Sequence, residues 1–209
     1  MNRVTRCLSL KRKADILLST IGLVVTLPLF PIIALAIKLD SPGPVLFRQL
    51  RVGSCHPDRV ELFEMIKFRS MRTDAEKNSG AVWASKADSR VTATGRFLRK
   101  TRLDELPQLF NVLKGDMSLI GPRPERPGFY QKLETSIPFY SERTYGLRPG
   151  ITGLAQVYQG YDTCIEDVRS KVAYDHSYAL SLGSVPGWLA TDMRILFLTL
   201  WVMMRGRGQ

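Results

Sequence analysis

The chain has 209 residues, with 30 Lys and Arg against 19 Asp and Glu and 2 His, a formal net charge of +11. With 44% hydrophobic and 23% charged residues it is neither wholly disordered nor a multi-span membrane protein, and its length fits one domain with an appendage. Two histidines exclude a His-rich metal centre. The three distant cysteines, Cys7, Cys55 and Cys164, suit neither a disulfide framework nor a thiolate metal site and point to a reducing compartment. The positive excess asks for a polyanionic partner: nucleic acid, a phosphorylated ligand or anionic lipid.

From Ile16 to Ile37 the chain carries no charge for 22 residues, long enough to cross a bilayer. A secretory signal fits poorly, because its apolar region is shorter and a small-residue cleavage pattern should follow. Pro28 and Pro31 sit mid-segment, each removing an amide donor and clashing one turn back. Freed carbonyls in lipid need local support. Arg3, Arg6, Lys11, Arg12 and Lys13 precede the segment and Lys38, Arg48 and Arg51 follow it, so both flanks favour the cytoplasm. A re-entrant helix-break-helix resolves both features. A kinked span and a buried core hairpin are the alternatives.

The turn Ser41-Pro42-Gly43-Pro44 ends that segment. Two short β-branched and aromatic runs, Val45–Gly53 and Val60–Met71, predict a hairpin around a loop at Ser54–Arg59. Lys67 and Arg69 would alternate with apolar neighbours there and share one face. Residues 73–90 are polar and unpatterned and read as a mobile surface loop. Gly95–Lys114 is helical in composition, and another helical run lies near 163–182, after a turn at Arg148-Pro149-Gly150. Ile195–Met204 is only 10 apolar residues flanked by Arg194, Arg205 and Arg207, which fits an interfacial helix or a buried C-terminal core helix. The expected fold is helix-rich α+β: residues 1–40 as basic flank and membrane hairpin, and residues 41–209 as a cytosolic globule.

The chemistry concentrates between residues 95 and 129. Leu106, Leu109, Phe110 and Leu113 recur at helical spacing, with Pro107 suited to the first turn and Gly115 just past the end. Asp104 and Glu105 therefore stand at a helix N-terminus, where they can simply cap it and complement its dipole. Their surroundings offer more. Arg96, Arg99, Lys100 and Arg102 precede them, and Arg123 and Arg126 follow. Guanidinium groups around a helix N-terminus make a phosphate site. An acidic pair within such a site can hold a divalent cation or attack phosphorus as a carboxylate nucleophile. Gly121-Pro122-Arg123-Pro124 presents its arginine from a stiff turn. No glycine-rich phosphate loop, Ser/His/Asp arrangement or nucleic-acid-binding signature is readable, and an acidic pair would oppose a phosphate backbone.

Five stretches carry a specific resemblance: Lys11-Arg12 with Asp15, SPGPVLFRQLRVG (residues 41–53), FEMIKFRSM (63–71), LDELPQLFNVLKGDMSLIGPRP (103–124) and RPGITGLAQV (148–157). Together they make the chain similar to the bacterial polyprenol-phosphate phosphoglycosyl transferases in their small monotopic form, the minimal catalytic unit of that family. The resemblance implies transfer of a sugar 1-phosphate from a UDP-sugar to undecaprenyl phosphate, with release of UMP and a requirement for Mg²⁺. It implies Asp104 as nucleophile and Mg²⁺ contact, and Glu105 as its partner acid. It assigns Lys67, Arg99 and Arg123 to the donor's phosphates and nucleotide, Lys11, Arg12 and Asp15 to the lipid interface, and Pro28 to the break of a re-entrant helix. The implied location is the cytoplasmic face of the bacterial inner membrane. Implied partners are membrane lipids and downstream glycosyltransferases, with a homodimer possible and no nucleic acid. Two departures stand out: Leu27 replaces the serine common before the proline, and Tyr158-Gln159-Gly160 replaces Asn-Gly-Arg. A non-catalytic, membrane-anchored basic scaffold is the alternative.

Overall fold

The computed structural model describes residues 3–75, 88–159 and 164–204. Most of the loop expected over 73–90, and Gly160, lie outside them. Helix α1 (Arg3–Thr26) runs unbroken from the basic flank into the apolar segment, and α2 (Leu29–Asp40) continues it at an angle of 62°. The break has a plain cause. Leu27 still donates to the Leu23 carbonyl at 2.7 Å, but Pro28 has no amide to continue the ladder, and a new turn starts with Phe30 donating to Leu27 at 3.1 Å. Pro31 falls in the first turn of α2, where an amide would have no intrahelical acceptor, so it causes no second break. Leu17, Val24, Val25, Ile32, Leu35 and Leu39 are exposed along this pair.

Strands β1 (Leu46–Cys55) and β2 (Val60–Phe68) form the expected hairpin, antiparallel with Phe47 opposite Lys67 and Arg51 opposite Phe63. Its loop is shorter than expected, because β1 continues through Cys55 and His56 closes the turn on the Arg59 carbonyl at 2.8 Å. The strand ends at Phe68, so Arg69 does not share a strand face with Lys67. Its guanidinium is instead buried on the carbonyls of Ile37, Ser41 and Pro42, tying the end of α2 to the hairpin.

The helical run from Gly95 divides in two. Helix α3 (Ala93–Thr101) is capped by Thr92, whose hydroxyl accepts from the Gly95 amide at 3.0 Å. A Cβ at position 95 would stand 2.0 Å from the Ser70 carbonyl oxygen, so glycine there lets α3 lie directly on the segment leaving β2. Arg102 ends α3 in the left-handed conformation (φ 56°), a turn of 3₁₀ helix covers Leu103–Glu105, and α4 (Gln108–Lys114) follows. Gly115, at φ 102°, ends α4 as expected. The buried face of α4 is rotated from the one its apolar spacing suggests. Leu109 and Val112 are buried with Gln108 and Asn111, while Phe110 is exposed and meets Phe30 of α2 edge-on at 6.3 Å.

Strands β3 (Ser118–Ile120) and β4 (Gly150–Thr152) pair in parallel. Helices α5 (Pro127–Ser136), α6 (Leu154–Tyr158) and α7 (Ile165–Ser181) complete the body; α7 is the helical run expected near 163–182. Helix α8 (Val185–Met204) corrects the reading of a 10-residue patch, since the helix is 20 residues long and sufficiently apolar to cross a membrane by length and composition. One face of it, Trp188, Asp192 and Ile195, is buried against the body, and Met193, Phe197, Leu200 and Met204 are exposed.

Candidate active site

The approach to α4 gathers most of the charged residues singled out from the sequence. Asp104 lies in the 3₁₀ turn and is only 6% exposed, whereas the residue at the cap of α4 is Pro107. Asp104 is therefore not the helix cap, and simple capping does not account for its burial. Glu105 beside it is flanked by two guanidiniums, Arg102 Nη1 at 3.5 Å from Oε2 and Arg123 Nη1 at 3.9 Å from Oε1. Lys67 reaches the same place from β2, with its ammonium 5.9 Å from the centre of the Phe47 ring. Arg99, in the last turn of α3, adds its field at Asp104.

Each of these groups is perturbed in a direction that follows from its position. Burial pushes the Asp104 carboxyl up to about 6 and the Glu105 charge adds to the rise, while Lys67 and Arg99 oppose it. Burial brings the Lys67 ammonium down to about 8, helped by Arg51 and Arg123 and resisted by Asp104 and Glu105. An acid and a base displaced toward neutrality in one cluster of basic side chains mark a site of chemistry more than of packing.

Asn111 holds the two halves of this site together. Almost wholly buried, it accepts from the Ile66 amide at 3.0 Å and donates to the Glu64 carbonyl at 2.7 Å, fixing β2, which carries Lys67, to α4, which follows Asp104. Charge and motif spacing do not single it out. Its signal was a carboxamide inside a seven-residue helix one position before a buried valine, where an unpaired polar group is costly. Arg51, expected only as part of a basic membrane flank, is instead buried, and with Arg143, which no motif singles out, it bonds the backbone of the turn that carries Arg123.

Lys11, Arg12 and Asp15 lie elsewhere, toward the other end of α4, about 10 Å away at 1.5 Å per residue. Arg12 donates to the Val112 and Leu113 carbonyls, satisfying the C-terminus of α4. Asp15 accepts from the Ser118 hydroxyl at 2.8 Å and the Leu119 amide at 3.1 Å. Lys11 is buried on Asp192. These residues line a cleft of about 360 Å³ with Arg148 and Tyr178, separate from the acidic pair. Pro28 stands at the break between α1 and α2.

The model of the bacterial sugar transferase family matches residues 6–206, nearly the whole chain. The chain belongs to the bacterial sugar transferase family. Within the family it is 46% identical over 199 residues to the UDP-N-acetylgalactosamine-undecaprenyl-phosphate N-acetylgalactosaminephosphotransferase of Aeromonas hydrophila, covering 95% of this chain and 44% of that one. It is 40% identical over 194 residues to the UDP-glucose:undecaprenyl-phosphate glucose-1-phosphate transferase of Klebsiella pneumoniae, covering 91% of this chain and 39% of that protein. The chain thus spans less than half the length of these two relatives. The exopolysaccharide production protein PSS of Rhizobium leguminosarum is 42% identical over 210 residues, covering 96% of this chain and 98% of its own length.

Proposed function

We propose that this sugar transferase moves a sugar 1-phosphate from a UDP-sugar to undecaprenyl phosphate at the cytoplasmic face of the bacterial inner membrane, through a covalent intermediate on Asp104. The observation that carries the reading is the acidic pair of buried Asp104 and partly buried Glu105 set among Lys67, Arg99, Arg102 and Arg123. The named activities of family relatives support the same substrate class.

In the first step a carboxylate oxygen of Asp104 attacks the β-phosphorus of the donor. The bond from that phosphorus to the bridging oxygen breaks, UMP leaves, and an acyl phosphate carries the sugar. In the second step an oxygen of undecaprenyl phosphate attacks the same phosphorus, the bond to Asp104 breaks, and the carboxylate is regenerated with undecaprenyl diphosphate sugar as product. Lys67, Arg99 and Arg123 hold the donor's phosphates and offset the charge that would otherwise repel the nucleophile. Glu105, fixed between Arg102 and Arg123, orients Asp104 and keeps a negative neighbour beside it.

The hard-oxygen donor set suits Mg²⁺, which takes one or two carboxylates and completes its shell with waters and substrate phosphates. Among the described residues no cluster of three or more metal-ligating side chains occurs. Asp104 would hold Mg²⁺, and the ion would supply charge neutralisation at the pyrophosphate.

The broken pair α1–α2 dips into the bilayer and returns, with its basic flanks on the cytoplasmic side. The exposed apolar face of α8 rests at the same membrane surface. Incubating the purified chain with undecaprenyl phosphate, Mg²⁺ and a panel of UDP-sugars tests the reaction. UMP release with at least one sugar is the expected result. No release with any sugar, alongside normal membrane binding, would favour a non-catalytic scaffold.

A further inference from the structure

The turn that presents Arg123 is held through its main chain. The Pro122 carbonyl accepts from the Gly150 amide at 2.9 Å and the Glu125 carbonyl from the Val52 amide at 2.8 Å. Between them, the Arg123 carbonyl accepts from Arg143 Nη2 at 3.2 Å and the Pro124 carbonyl from Arg51 Nη1 at 3.0 Å. Four consecutive carbonyls are thus fixed by three segments, β4 through Gly150, β1 through Arg51 and Val52, and the turn that carries Arg143, and the two prolines fix their own φ angles.

Arg143 is the unusual donor among them. It sits in a 3₁₀ turn (Ser141–Thr144), buried, with Nη1 on Asp175 of α7 at 2.8 Å and Nη2 on the Tyr140 hydroxyl at 3.1 Å. Its guanidinium carbon lies 4.5 Å from the centre of the Tyr140 ring. Such a pair loses hydration on both sides, and well-packed apolar residues often serve stability equally well. A planar guanidinium does what neither an apolar side chain nor lysine does: it bonds several fixed acceptors at once in one plane. Here the acceptors are the α7 carboxylate and the backbone of the residue whose side chain faces Glu105.

We propose that Arg143, oriented by Asp175, is a positioning residue that fixes the Arg123 backbone and so keeps the Arg123 guanidinium opposite Glu105, beside Asp104. The inference rests on the assignment of Arg123 to the donor's phosphates made above. A connected path then runs from α7 to the acidic pair through Asp175, Arg143, Arg123 and Glu105. Its effect falls on the half-reaction that uses the UDP-sugar.

A double-mutant cycle tests it. Arg143→Lys keeps a charge opposite Asp175 but loses the fork, and lowers kcat/KM for UMP release by about 10- to 100-fold. In an Arg123→Lys background the same change costs less than about twofold, because the residue it acts through is already altered. Equal losses in both backgrounds would overturn the proposal. Asp175→Asn, which leaves Arg143 in place but loosens it, gives the same pattern at smaller amplitude. Hydrogen exchange without substrate supplies a second readout: the Gly150 and Val52 amides exchange faster in Arg143→Lys, and unchanged exchange there would also overturn it. Should the wild-type chain release no UMP from any UDP-sugar, the assigned reaction fails, and the exchange result alone decides whether Arg143 orders the turn.

Discussion

Lys11 and Asp192, 181 positions apart in the chain, form a 2.9 Å ion pair in the interior. Asp192 also accepts from Tyr178 at 2.9 Å and from the Trp188 indole at 2.6 Å, and Asp15 lies 3.9 Å from the same ammonium. The first helix is thereby locked to α7 and α8 just before its apolar segment begins. Lys11→Ala leaves the Asp192 carboxylate buried without its cation and is expected to cost about 3–5 kcal/mol. The double change Lys11→Met with Asp192→Leu should recover only part of that loss, because it removes the stranded carboxylate but leaves the Trp188 indole without its acceptor. Thermal unfolding in detergent of the single and double variants checks both statements, and a double variant no better than the single one would refute the reading.

The break at Pro28 has a topological consequence. Cysteines introduced at Ser9 and Lys38 in a cysteine-free background should both be labelled from the cytoplasmic side. Pro28→Ala restores an amide and relieves a helix penalty of about 3 kcal/mol, so it should move part of the population to a straight span. Labelling of the two positions on opposite faces with Pro28 in place would mean that the segment crosses.

Much of this arrangement was legible in the sequence, for reasons that differ by element. Pro28, the hairpin runs, Pro107 and Gly115 are local signals, and each marks its feature within a few residues. The acidic pair among arginines was legible because opposite charges crowd one short stretch. Less legible were partners set by tertiary contact. Arg69 resembled a second cation beside Lys67, yet β2 stops one residue earlier and its guanidinium goes to three carbonyls around the exit of α2. The apolar patch at Ile195 looked too short to matter as a span because Asp192 and Arg194 interrupt it. Lys11 supplies the buried partner that lets Asp192 lie inside a 20-residue helix. Asn111 and Arg143 act through backbone atoms distant in sequence, and nothing in local spacing announces that.

The pH dependence follows from the two displaced groups. Asp104 must be a carboxylate to attack, so kcat/KM for UMP release rises with pH through about 6. Lys67 must be charged to hold phosphate, so the rate falls again above about 8. Lys67→Arg keeps its charge throughout this range and should abolish the alkaline limb while leaving the acid limb in place. A profile flat from pH 5 to 9 would contradict both assignments.

Asp104 is also expected to cost stability. Its pKa is higher in the folded chain than the 3.8 of an ordinary aspartate, so the ionised form disfavours folding at neutral pH. Asp104→Asn should therefore raise stability at pH 7.5 by about 1–3 kcal/mol, an increase in Tm of several degrees. The gain should shrink as pH falls toward about 4, where the carboxyl is protonated in the folded state as well. A variant less stable than the parent at pH 7.5 would show that Asp104 holds the fold together.

The covalent intermediate is tested most directly by intact-protein mass spectrometry after mixing the enzyme with a UDP-sugar and Mg²⁺ in the absence of undecaprenyl phosphate. The account predicts an adduct of one sugar phosphate, mapped by peptide analysis to Asp104, absent in Asp104→Asn and discharged when undecaprenyl phosphate is added. Turnover to undecaprenyl diphosphate sugar with no adduct at Asp104, or with full activity retained in Asp104→Asn, would contradict it.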